Sequence, residues 1–199
     1  MATLFTSTFE TGNTSEWDEA TGTYAIVGSP VHHGSYAFKS TVNGRLEDYG
    51  TTNVADVYYR FYFRIDDVTN SAMLGWIYNV AWSQFVTFGV NGGAFWLTCP
   101  SGTYTGGSPA INTWYCVEVR RKVGAGNGIA TLYANGVSTI TRTTETITGN
   151  SANYKLGIDN AVSGSVIGYF DCVLIADAYI GTEAAAGQQL FTLINEMGY

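Results

Sequence analysis

Along most of this chain apolar and polar positions alternate with a period of two. The pattern is clearest from Ala55 to Asp66, ADVYYRFYFRID. Val57, Tyr59, Phe61, Phe63 and Ile65 fall on one side of an extended backbone; Tyr58, Arg60, Tyr62, Arg64 and Asp66 fall on the other. Successive side chains of a strand point to opposite faces, so this stretch predicts a long antiparallel strand with one face in a core. Similar runs predict strands over Leu4–Phe9, Thr23–Val27 and Ser35–Val42 before it. After it come Met73–Tyr78, Gln84–Val90, Ala94–Leu97, Thr113–Val123, Tyr154–Ile158 and Ser165–Ile175. Asn91-Gly92-Gly93 and Asn135-Gly136 are hairpin signals, because tight hairpin turns need positive φ; the second centres a hairpin over Ile129–Thr141. Residues 14–21, 44–53 and 101–112 are polar and read as loops. The period changes once. Thr182 is a plausible N-cap with Glu183 behind it, and Leu190, Phe191, Ile194 and Met197 recur at helical spacing.

About ten strands with a helix only at the end predict an all-β sandwich of two antiparallel sheets. The expected division is one domain over residues 1–181 and a short amphipathic helix at 182–199, packed on that domain or on a partner.

Composition fits this architecture. In 199 residues, 46% are hydrophobic and 15% aromatic, enough to fill a two-layer core, and 24 glycines supply the turns. The net charge of −7 argues against nucleic acid and anionic membranes as main partners. No run approaches the ~18 apolar residues of a membrane helix, so no membrane insertion is expected. The N-terminus MATLFTSTFE lacks the basic and apolar regions of a signal peptide. Cys99, Cys116 and Cys172 cannot all pair with one another and show no CxxC spacing; they read as buried thiols, with one disulfide as the alternative.

Two groups of residues carry candidate chemistry. The second face of the 55–66 strand combines arginines with tyrosines, and Trp114 and Arg120 extend it on the 113–123 strand. Tyr58, Arg60, Tyr62, Arg64, Trp114 and Arg120 are therefore the candidate carbohydrate-binding face; the alternative is a tyrosine–arginine ladder that only stiffens the sheet. Trp76, Tyr78, Trp82 and Trp96 form an aromatic group, suited to stacking on sugars where exposed and otherwise to core packing, with at least half expected in the core.

FETGNTSEW (9–17), HHGSYAFK (32–39), VYYRFYFRID (57–66), NTWYCVEVRRKVG (112–124), ATLYANGV (130–137) and YFDCVLIADAYIG (169–181), in this order, resemble the concanavalin A-like lectin/glucanase superfamily. The likeness is to its laminin-G-like and polysaccharide-lyase-like branches. It implies a jelly roll of two curved sheets, with ligands on the concave face or at loop ends. It also implies a structural calcium held by Glu10 and Asp171 with the Gly34-Ser35 loop; the alternative is that Glu10 caps backbone N–H groups. Enzymatic members carry motifs this chain departs from. Glu16-Trp17-Asp18 begins an ExDxxE spacing, but Thr21 stands where its second glutamate belongs, and no Gln-x-His occurs. Fold alone does not give function.

The expectation is a non-enzymatic lectin-like module that binds a glycan or polysaccharide. The rival is a polysaccharide lyase or glycoside hydrolase acting on an acidic polysaccharide, in which Arg60 and Arg64 hold the polymer and Tyr58 or Tyr62 serves as base. The chain is further expected outside cells or on a virion surface. There the terminal helix would mount it on capsid neighbours or on copies of itself as a decoration protein.

Overall fold

The computed structural model describes residues 1–41, 43–83, 85–159 and 166–182. The predicted helix at 183–199 lies outside the described residues. Within them, all regular structure is strand. In chain order the strands are β1 (Thr3–Ser7), β2 (Glu19–Thr21), β3 (Tyr24–Val27), β4 (Ala37–Ser40), β5 (Gly44–Val54), β6 (Asp56–Ile65) and β7 (Ala72–Asn79). Then follow β8 (Val86–Asn91), β9 (Ala94–Cys99), β10 (Gly102–Gly106), β11 (Tyr115–Lys122), β12 (Gly124–Ala134), β13 (Val137–Ile147), β14 (Ser151–Asp159) and β15 (Gly168–Ala176).

They form two antiparallel sheets. The first runs β13-β12-β11-β6-β15-β4-β3, with β1 also paired to β15; the second runs β10-β9-β8-β7-β14-β5-β2. The predicted two-sheet sandwich is therefore present. Val57, Tyr59, Phe61, Phe63 and Ile65 of β6 are at most 1% exposed and join Phe88, Leu97, Val117, Val119, Tyr154 and Phe170 in one core between the sheets. Burying such side chains contributes about 1.5–3 kcal/mol each, which sets the register of β6 and thereby sends Tyr58, Arg60, Tyr62 and Arg64 outward. The hairpin at Asn135-Gly136 forms as expected, with φ of 50° and 79° at its two turn residues.

Three predicted loops contain strands. β5 covers the whole polar stretch 44–53, β10 lies within 101–112, and β2 occupies the end of 14–21. On β5 the buried residues include Asp48 and Thr52 beside Leu46. Thr52 bonds Tyr154 Oη at 2.5 Å and the Ser151 carbonyl at 3.0 Å. Thr52 thus faces inward where hydrogen bonds receive it, Asp48 is buried beside it, and the apolar alternation is lost. No disulfide joins the three cysteines, which all lie among the described residues; Cys99 and Cys116 are buried, whereas Cys172 is half-exposed.

Candidate functional site

The outer face of the first sheet gathers all six residues predicted to bind carbohydrate. Tyr58, Arg60, Tyr62 and Arg64 follow one another on β6, Arg120 stands opposite Tyr58 on β11, and Trp114 enters β11. Most of this face is covered. Tyr58, Arg60 and Tyr62 are 8%, 7% and 5% exposed. Residues 177–182 cross over Tyr58 and Arg60 as a strap, and the His32 ring lies on Tyr62. The N–H groups of Ile180 and Gly181 donate to the two carboxylate oxygens of Glu118, each at 2.8 Å. Arg60 Nη1 donates to the Gly181 carbonyl at 3.3 Å. Tyr179 packs its ring on Tyr58 and Tyr133, and Ile180 joins Tyr58, Leu174 and Ala176 in a small apolar cluster. Burial pushes the Glu118 carboxyl above its ordinary value, and the two amides and Arg60 offset that only in part. Arg120 forms a bidentate pair with Asp56 at 2.6 and 2.9 Å. Arg64 donates to the Asn112 carbonyl at 3.1 Å, and Trp114 lies edge-on to His32.

The predicted calcium ligands meet around the 32–36 loop. The Glu10 carboxylate receives the N–H groups of Ser35 and Tyr36 at 3.0 and 3.1 Å. A Cβ on Gly34 would stand 2.6 Å from Glu10 Oε2, so glycine there makes room for the carboxylate. Asp171, fully buried, receives the N–H groups of His32, His33 and Cys172 at 2.9, 3.0 and 2.8 Å. Each carboxylate thus accepts backbone N–H groups, which use part of its acceptor capacity; a calcium ion here would share the carboxylates with those donors and need further oxygens to complete its shell.

The outer face of the second sheet differs. Glu19 of β2, Glu47 of β5, Lys155 of β14, Trp76 of β7, Thr87 of β8, Thr98 of β9 and Thr103 of β10 are cross-strand neighbours in sequence of pairing. Directly paired residues share a face, so these form one transverse row, roughly 29 Å long at the usual ~4.8 Å strand spacing. At its centre Lys155 Nζ lies 5.1 Å from the ring centre of Trp82 and 5.9 Å from those of Trp76 and Tyr78. It bonds Glu47 at 2.9 Å. Arg45 joins Glu47 to Asp159, and the Tyr49 hydroxyl bridges Glu19 and Glu47. Burial alone would raise the Glu47 carboxyl, but hydrogen bonds from Arg45, Lys155 and Tyr49 bring it below its ordinary value. Burial, with Glu47 and Asp159 nearby, pushes the Tyr78 phenol up to about 12.

Aromatic surface is open here. Tyr49, Trp82 and Phe85 are 39%, 41% and 44% exposed. Trp96 lies against Gly89, where a Cβ would come within 2.6 Å of the indole. It walls a pocket of about 330 Å³ with Met73, Asn91, Thr98, Thr103 and Thr105, and its buried Nε1–H has no partner among the described residues. Of the four aromatics singled out in the sequence, none belongs to the core between the sheets. Trp76 and Trp96 are 5% and 9% exposed yet sit on the outer face. Sequence reasoning missed Tyr49, Glu47 and Lys155, because the row assembles residues from 19 to 155.

No protein-family model matches the chain, and a search of curated proteins finds no match. Among solved structures, the chain is similar to the cellulose-induced protein Cip1. The TM-score is 0.72 and the identity 15%, over 89% of this chain and 99% of Cip1. It is also similar to the binding domain of botulinum neurotoxin DC in complex with rat synaptotagmin II, with a TM-score of 0.65 and 12% identity over 99% of this chain. A third neighbour is a botulinum neurotoxin type C structure whose cell entry depends on two ganglioside molecules, with a TM-score of 0.59 and 15% identity over 91% of this chain. The chain spans about half the length of these toxin chains, 52% and 47%. What is shared is the fold, a two-sheet antiparallel β-sandwich.

Proposed function

We propose that this protein is a non-enzymatic carbohydrate-binding module that holds a glycan across the outer face of the second sheet. The observation that carries this reading is the transverse row, in which exposed rings flank fixed hydrogen-bonding groups. Tyr49, Tyr78 and Trp82 offer flat apolar surface for the faces of pyranose rings. Lys155, Glu47 and the threonines offer donors and acceptors for hydroxyls. The charges on this face are three carboxylates (Glu19, Glu47, Asp159) against two cations (Arg45, Lys155), and most are tied to one another. With no positive excess, a neutral glycan fits better than an acidic polysaccharide. The neighbours support the class, since a cellulose-induced protein and a ganglioside-dependent toxin share the fold.

The test is binding to immobilised neutral and acidic glycans, with Trp82→Ala, Lys155→Ala and Tyr62→Ala compared to the parent. Binding to a neutral glycan that falls in the first two variants supports the reading. Binding that ignores both, or release of new reducing or unsaturated ends, overturns it.

A further inference from the structure

His32 and His33, in the loop between β3 and β4, and Cys172, within β15, place their ligating atoms within 4.8 Å of one another. The two imidazole rings stack with centres 4.7 Å apart, which brings Nδ1 of His33 to 3.0 Å from Nδ1 of His32. Three features set this arrangement. The buried Asp171 carboxylate fixes the backbone of all three residues, through the N–H groups of His32, His33 and Cys172. Cys172 sits at φ of 50° at a register shift of β15, a conformation few non-glycine residues adopt, and this turns it off the strand. The His32 ring lies on Tyr62 with centres 3.7 Å apart and planes 12° apart, with Trp114 against its edge.

We propose that His32, His33 and Cys172 form a mononuclear binding site for a zinc-class divalent metal ion. Imidazole nitrogen and thiolate sulfur are the ligands such ions select over the oxygens calcium prefers. At about 2.1 Å from nitrogen and 2.3 Å from sulfur, a tetrahedral ion holds its ligands roughly 3.4–3.6 Å apart, so small side-chain rotations close the site. On binding, the Cys172 S–H bond breaks, a metal–sulfur bond forms, and the proton leaves to solvent. The neutral imidazoles donate their lone pairs without change of charge. His33 is exposed and the other two are half-buried, so an ion can enter from solvent. Three protein ligands leave one coordination position open to water. Asp171 acts as the outer partner that orients the ligands. This site is independent of the glycan face on the other sheet.

Cobalt titration of the full chain, stripped of metal and kept reduced, tests the proposal. The expected result is a thiolate-to-cobalt charge-transfer band with tetrahedral d–d absorption, saturating at one equivalent and displaced by zinc. Cys172→Ser should abolish the charge-transfer band. His33→Ala, at an exposed position, should keep the fold and the band but weaken binding by at least about 100-fold, no less than loss of an outer-shell partner costs. Cys99→Ser should leave the spectrum unchanged. No saturable spectrum in the parent, or a spectrum untouched by both Cys172→Ser and His33→Ala, overturns the site. Glycan binding measured on the same samples reports separately on the other face.

Discussion

Both sheets send a row of aromatic and charged side chains outward, yet the two rows end in different states. On the first sheet, Arg60 and Glu118 spend hydrogen-bonding groups on the strap at 177–182, Tyr58 packs under its Tyr179 and Ile180, and Tyr62 lies beneath His32. On the second, Glu47, Lys155 and Arg45 satisfy one another within the sheet, and Tyr49 and Trp82 stand open above them. Similar residue types thus yield an internal joint in one place and a surface in the other. The difference lies in what covers the face: an open row satisfied from within needs no chain laid over it. The two carboxylates record this, since burial raises Glu118 whereas its donors lower Glu47.

The largest effect should come from breaking the joint. Glu118→Ala strands two buried amides and Arg60, and is expected to cost about 3 kcal/mol, the range for a buried group that loses its partner. Glu47→Ala leaves cations that water can reach, with Arg45 at 29% and Lys155 at 16% side-chain exposure. It should cost about 1 kcal/mol. Denaturant unfolding of both variants decides the matter, and equal losses would erase the distinction between the faces.

Binding should show the reverse preference. Trp82→Ala is expected to weaken glycan affinity about tenfold, equivalent to ~1.4 kcal/mol. At 41% exposure its stability should change by no more than about 0.5 kcal/mol. Tyr62→Ala, at 5% exposure under His32, should lose stability without losing glycan. Titration calorimetry alongside thermal melts separates the two outcomes.

The core was legible because β6 alternates without a fault and its inner residues are all large and apolar. β5 was not, since its buried residues include Asp48 and Thr52, the second held by hydrogen bonds to Tyr154 and the Ser151 carbonyl rather than by apolar contact. The outer row of β6 was visible as a row, but nothing local in ADVYYRFYFRID tells that Ile180 and Gly181 return to Glu118. The glycan face was half visible: Trp76, Tyr78, Trp82 and Trp96 cluster in sequence. Glu19, Glu47 and Lys155 reach them only through the pairing of β2, β5 and β14. Local periodicity reports which side of a strand a residue takes, and long-range pairing decides its neighbours.

Acidity gives a smaller and sharper contrast. Glu118 has a folded value above the ~4.3 of an unfolded glutamate. The native state therefore binds its proton more tightly, and this group's contribution to stability falls as pH rises from about 4.3 through the folded value. Glu47 lies below its unfolded value, so its contribution is full above about 4.3 and is lost as pH falls through the folded value. Unfolding free energy measured from pH 3 to pH 7 should lose its decline with rising pH in Glu118→Gln and its acid-side loss in Glu47→Gln. Identical profiles for the two variants would show that the faces are electrostatically alike.

The smallest expected effect concerns calcium at Glu10 and Asp171. Both carboxylates are already compensated, by the amides of Ser35 and Tyr36 in one case and of His32, His33 and Cys172 in the other. An ion that enters must share the carboxylates with those amides and find other oxygens for the rest of its shell, which calcium fills with six to eight. A metal that binds the folded form raises the melting temperature by mass action. With the amides in place, added calcium or a calcium chelator should move the melting temperature of the full chain by less than about 1 °C, under about 0.5 kcal/mol for a domain of this size. A rise of several degrees that disappears in Glu10→Gln would show the carboxylates holding the ion. The loop at 32–36 would then be held by metal, and the covered face would owe its order to an ion as well as to the strap. Zinc measured in the same melts gives the internal control, since a shift that follows Cys172 rather than Glu10 belongs to the histidine–cysteine site.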